Sequence, residues 1–116
     1  MVCISQSGET ADTLAALKHA SNDHVVARLA LCNVDHSAIV RASDLTILTR
    51  AGAEIGVAST KAFTTQLAAL MLLVGKLAEI KQRADFKRDE LDAALVSLPA
   101  AFKAVLAAEE AIKSMA

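Results

Sequence analysis

The sequence predicts an α/β domain in which a parallel sheet carries helices on its faces. Between Val2 and Thr49 short apolar runs alternate with helix-period segments, in the order strand, helix, strand, helix, strand. The connections are short enough to leave only the right-handed crossovers that parallel strands use. The composition is 54% hydrophobic and 3% aromatic, so the core must be built from Ala, Leu, Val and Ile, with Phe63, Phe86 and Phe102 as the only rings. Such a core suits helices packed on a sheet.

Val2 to Ile4 is apolar without a polar lead-in and runs at once into Ser, Gly and Thr, as a buried parallel strand runs into its turn. A helix is expected to open near Glu9, with Leu14, Leu17 and Ala20 on one stripe and Glu9 and Asp12 in the first turn, where the helix dipole favours acids. Asn22-Asp23-His24 ends it. Val25 to Val34 carries the second strand, with Leu29 to Cys32 apolar on both faces, and Ser37 to Ala42 reads as a short helix that Ser37 can cap. Asp44 to Thr49 is the third strand, supported by branched Thr46, Ile47 and Thr49. Arg50 to Ser59 is an irregular loop, and Thr60 opens a long apolar helix that runs to about Ile80 and is expected to be buried. Beyond Lys81-Gln82-Arg83 the chain resumes as helix, with Leu91, Leu95 and Leu98 on one stripe; Pro99 either starts a further helix or kinks this one.

At 116 residues one core is the natural reading, divided here into 1–80 as the α/β part and 81–116 as a helical extension. Twelve basic and thirteen acidic residues give a formal charge of -1, which argues against nucleic acid as a partner. The longest apolar run, Leu67 to Gly75, is far shorter than the roughly 20 residues of a membrane span, so no membrane partner is expected. No secretory leader is read at the N-terminus. Cys3 and Cys32 lie in apolar runs without CxxC spacing, which fits buried thiols in a reducing, cytoplasmic setting.

The segment Ser5-Gln6-Ser7-Gly8-Glu9-Thr10 has the chemistry of a phosphate-holding turn. A phosphate wants several donors converging at a helix N-terminus, where backbone N–H groups are unpaired and the dipole is positive. Ser5, Ser7 and Thr10 offer hydroxyls, Gln6 an amide, and Gly8 a backbone able to approach closely with positive φ. The same residues also fit a plainer account, in which Ser7 caps the helix and the others form a polar turn. Glu9 suits an anion site only if its side chain points away. Neither GxxxxGK[ST] nor GxGxxG is present, which disfavours a nucleotide.

A second loop, Gly52 to Lys61, also runs into a helix start and can close over the same ligand. Its N–H groups and the Ser59 and Thr60 hydroxyls suit a sugar, although either residue alone reads first as a helix cap and Lys61 as a structural or surface cation. His19, His24 and His36 have no metal-ligand spacing, so no metal and no cofactor are expected and none is assigned to catalysis.

At these loops the sequence becomes recognisable. Ser5-Gln6-Ser7-Gly8-Glu9-Thr10-Ala11-Asp12-Thr13-Leu14 and Glu54-Ile55-Gly56-Val57-Ala58-Ser59-Thr60-Lys61-Ala62-Phe63-Thr64-Thr65-Gln66 closely resemble the isomerase half of the glutamine-fructose-6-phosphate aminotransferases. Leu31-Cys32-Asn33-Val34 and Ser43-Asp44-Leu45 share that likeness. The resemblance implies a three-layer αβα sugar-isomerase (SIS) domain, incomplete at its N-terminus and followed by C-terminal helices. It implies that Ser5, Gln6, Ser7 and Thr10 hold the phosphate of fructose 6-phosphate or glucosamine 6-phosphate, while the Val57 backbone and the Ser59 hydroxyl contact the sugar. The family makes glucosamine 6-phosphate from fructose 6-phosphate and glutamine.

The departures are equally informative. The family's cysteine nucleophile with its amidotransferase domain, a preceding SIS strand and the whole second SIS domain have no counterpart in this sequence. The family's ring-opening, Schiff-base and proton-moving residues belong to those parts, so Lys61 is not the Schiff-base lysine and the isolated chain is expected to be inactive. Two rivals are a ligand-sensing SIS domain of a transcription regulator and a stand-alone phosphosugar isomerase, for which Glu54 is the only nearby acid. The uncovered sheet and apolar helix stripes further suggest a homodimer.

Overall fold

The computed structural model describes residues 1–20, 24–56 and 58–115. Asn22 and Asp23, expected to end the first helix, and Val57, expected to contact the sugar, lie outside them. The chain divides into two compact units, Met1–Leu70 and Met71–Ala116.

In the first unit three four-residue strands, β1 (Val2–Ser5), β2 (Leu29–Cys32) and β3 (Leu45–Leu48), form a parallel sheet in the order β1-β2-β3. The register sets Ala30 between Cys3 and Thr46, and Cys32 between Ser5 and Leu48. Two helices, α1 (Ala11–His19) and α2 (Ala38–Arg41), complete the alternation that the apolar runs predict. They cover one face: Leu17 of α1 and Ile39 of α2 pack with Cys3 and Ala30 in one buried cluster, flanked by Leu14, Val40 and Ala42. Burial of such side chains stabilises by about 1.5–3 kcal/mol each. On the opposite face Leu31 is fully buried, whereas Val2, Ile4 and Leu45 stay 48%, 43% and 58% exposed. Both cysteines are buried and free.

Three boundaries move from their expected places. The first helix starts at Ala11 rather than near Glu9, because Gly8 turns the chain at φ 69° and Thr10 remains extended as the N-cap residue. The second strand contains only Leu29–Cys32; Val26, expected within it, is fully exposed. Arg28 instead spends its main chain on a link to the start of β3. Its carbonyl accepts from the Asp44 and Leu45 N–H groups at 2.9 and 3.1 Å, and its own N–H donates to Asp44 Oδ2 at 2.8 Å.

Helix α3 (Lys61–Ile80) has the expected extent, but the expectation of burial does not hold. Ala62 is fully buried, yet Leu67, Met71, Leu72, Val74, Leu77 and Ile80 are all exposed. By length and composition α3 is also apolar enough to cross a membrane, so the Leu67–Gly75 run understates it. Its C-terminus closes in a Schellman motif: Arg83 N–H donates to Ala78 O and Gln82 N–H to Glu79 O, with Gln82 in the left-handed region at φ 50°.

In the second unit α4 (Arg88–Leu106) runs uninterrupted through Pro99, so Pro99 does not start a new helix, and α5 (Glu109–Met115) follows. Gly75 of α3 lets Leu91 of α4 approach: a Cβ there would lie 2.6 Å from Leu91 Cδ2. Phe102, Val105, Leu106 and Ile112 face outward.

Candidate functional site

The carboxyl end of β1 delivers Ser5 directly into the turn. Ser5 is 8% exposed, and its Oγ accepts the Gly8 N–H at 2.9 Å, which leaves the hydroxyl proton to donate. Ser7 Oγ accepts the Glu9 N–H at 3.3 Å. Ser7 therefore shapes the turn and does not cap α1. The N-cap position belongs to Thr10, whose carbonyl takes the first helical bond from Leu14 N–H at 3.0 Å while its side chain makes no capping bond.

Gly8 is required here twice over. Its φ is 69°, and a Cβ would stand 2.0 Å from Ser37 Oγ and 2.9 Å from Cys32 Sγ. The turn thus rests on the β2–α2 connection. Gly8 O accepts the Ile39 N–H at 2.9 Å, and Glu9 Oε1 accepts the Ala38 N–H at 2.8 Å. Glu9 therefore points away from the pocket toward the start of α2. Ser37 sits at the N-cap of α2 without a side-chain cap bond; its Oγ lies 3.5 Å from Cys32 Sγ.

Ser5, Gln6, Ser7, Thr10, Glu54, Gly56 and Ser59 line one cavity of about 270 Å3. This is just below the roughly 300 Å3 at which small-ligand sites begin. The structure brings together the four residues of the turn and Ser59 of the second loop, as the two motifs suggest. Among the described residues no lysine or arginine lines this cavity, so hydroxyls, an amide and the N-terminal end of α1 supply its donors.

A larger cavity of about 620 Å3 shares Gln6 and Glu54 and continues past Asn33, Asp35 and Arg50 at the carboxyl ends of the strands. Asn33 is a positioning residue that sequence reading missed. Its Nδ2 donates to Gly52 O at 2.7 Å, and its Oδ1 accepts from Ala51 N–H at 2.7 Å and Thr49 Oγ1 at 3.2 Å. It ties the end of β2 to the loop after β3. These bonds span 16 to 19 residues and leave no local pattern; only the family-like Leu31-Cys32-Asn33-Val34 run marks the position.

At the start of α3 the residues read as caps behave differently. Thr60 Oγ1 donates to Glu54 Oε1 at 3.2 Å, and the Ala62 N–H donates to Glu54 Oε2 at 3.1 Å. The Glu54 carboxylate is the helix cap. Among the described residues no group of three or more His, Cys, Asp or Glu is placed to hold a metal.

A parallel sheet whose strand-to-helix turns build a hydroxyl-lined pocket defines an α/β ligand-binding domain, and comparison with known proteins gives its family. The chain belongs to the SIS domain family, which matches residues 1–76. It is 50% identical to a glutamine–fructose-6-phosphate aminotransferase [isomerizing] of Haemophilus influenzae, over 100% of this chain and 19% of that protein. It is 56% identical to the enzyme of that name from Bordetella parapertussis, with the same coverage. The chain therefore spans about a fifth of the length of these curated relatives. Among solved structures, the C-terminal domain of glucosamine-fructose-6-phosphate aminotransferase from Francisella tularensis superposes with a TM-score of 0.73 at 45% identity, covering 84% of this chain and 27% of that one. A phosphosugar isomerase described as putative, from Silicibacter pomeroyi, gives 0.69 at 36% identity with the same coverage.

Proposed function

We propose that the chain is the phosphosugar-binding part of a glutamine-fructose-6-phosphate aminotransferase, taking fructose 6-phosphate or its product glucosamine 6-phosphate. The observation that carries this reading is the convergence of Ser5, Gln6, Ser7, Thr10 and Ser59 on one cavity at the start of α1, in a chain about half identical over its whole length to enzymes of that name. The phosphate sits against Ser5, Gln6, Ser7 and Thr10, and the sugar meets Ser59 and the Val57 backbone. Residues 1–80 form the binding part and 81–116 lead toward a further domain. The chain itself supplies no catalytic residue, so it makes no glucosamine 6-phosphate alone; product formation by the purified chain contradicts this.

The setting is cytoplasmic and neither nucleic acid nor membrane is a partner. We read α3 as an interior helix of the larger protein, since its first turn is tied to Glu54 and Ala62 is buried in the α/β unit. The apolar residues left open on the sheet and on α3 support a homodimer. Sedimentation at micromolar concentration is expected to show a dimer, and a compact monomer contradicts it. The ligand is tested by thermal shift: fructose 6-phosphate should raise the melting temperature where unphosphorylated fructose does not.

A further inference from the structure

We propose that Glu54 is the positioning residue that shapes the sugar side of this pocket, and that it does so by clasping its own loop onto the start of α3. The proposal rests on the phosphosugar reading of the cavity. Both carboxylate oxygens are engaged on one side of the residue: Oε1 takes the Thr60 hydroxyl and Oε2 the Ala62 N–H. These two bonds tie Glu54 to the start of α3, and Gly56 and Ser59 beside it line the cavity. The residues before Glu54 are anchored as well, where Asn33 holds Ala51 and Gly52 and Gly52 turns at φ 76°. Glu54, like Gln6, lines both cavities.

The placement also explains how an acid is tolerated beside an anion. Its charge meets the unpaired N–H groups and positive dipole end of a 20-residue helix. With both oxygens accepting hydrogen bonds from the start of α3, Glu54 holds Ser59 in place.

The test is made on the whole chain with two probes, fructose 6-phosphate and inorganic phosphate, and with amide exchange at Ala62 read without ligand. Glu54→Ala is expected to weaken fructose 6-phosphate about tenfold while inorganic phosphate, held by the Ser5–Thr10 turn, changes less than about twofold. Glu54→Gln should stay within about threefold of the parent, because the amide oxygen accepts from Ala62 N–H and the amide nitrogen donates to Thr60 Oγ1. Thr60→Val should fall between the two. Ala62 exchange should quicken in Glu54→Ala and remain near the parent rate in Glu54→Gln. Unchanged binding in Glu54→Ala, a Gln variant as weak as the Ala variant, equal loss of both probes or unchanged Ala62 exchange overturns the proposal. A parent chain that ignores fructose 6-phosphate contradicts the phosphosugar reading instead, and the Ala62 exchange rates then decide the clasp by themselves.

Discussion

At Gly8 two demands coincide. The backbone must be left-handed, and the space where a side chain would start is already filled by the Ser37 hydroxyl and the Cys32 sulfur. Gly8→Ala therefore combines a left-handed penalty of about 1–2 kcal/mol with overpacking of about 1–3 kcal/mol. Urea unfolding should show a loss of about 3 kcal/mol, and phosphosugar binding should fail because Ser5, Ser7 and Thr10 no longer converge. Full stability in that variant would mean that the turn can move off Ser37. Gln82 presents the opposite case: it occupies the same backbone region with open chemistry around it, so Gln82→Gly should stabilise by up to about 1 kcal/mol. A lower melting temperature would contradict the Schellman reading of α3's end.

At the scale of elements, the sheet is pinned before its site is built. Arg28 Nε and Nη2 donate to the Asp44 carboxylate at 3.1 and 2.8 Å, joining the starts of β2 and β3. These side-chain hydrogen bonds, followed by the Arg28 backbone N–H, hold the Asp44 carboxyl down at about 2 from an ordinary 3.8. Because the folded value lies below the unfolded one, the stabilisation is present above pH about 4 and is lost as the pH falls toward about 2. Asp44→Asn should lower the melting temperature at pH 7, and its deficit should shrink as the pH approaches 2. A deficit independent of pH would assign the loss to packing. The alternation of strands and helices was legible in the sequence because apolar runs and helical stripes are local signals, and Ser5 to Thr10 was legible because a strand ran straight into it. Three features were not legible. α1 begins at Ala11 rather than near Glu9 because Gly8's left-handed turn uses up two more residues before the helix can begin. Glu54, not Ser59 or Thr60, caps α3 through a loop whose closure no period announces. Asn33 acts across strands, where spacing carries no information. The exposed stripe of α3 was misread as buried because apolar periodicity reports that a helix wants cover, not which part of a protein provides it.

At the scale of the molecule, membership in the SIS domain family and the cavity between two helix starts converge on the same chemistry. Among the described residues no lysine or arginine lines the cavity, so on the proposed reading phosphate is held by neutral donors and a helix end. Binding should therefore depend only weakly on ionic strength. On the proposed reading, the residues that open the sugar ring and form the Schiff base belong to parts of the protein beyond this chain, which leaves the chain a binding surface. The most direct test follows backbone amide shifts during titration with fructose 6-phosphate and, separately, with fructose. The account predicts saturating shifts at Ser5 to Thr10 and at Ser59 with fructose 6-phosphate and none at Ser5 to Thr10 with fructose. Equal responses to the two sugars, or no response at Ser5 to Thr10, would contradict it.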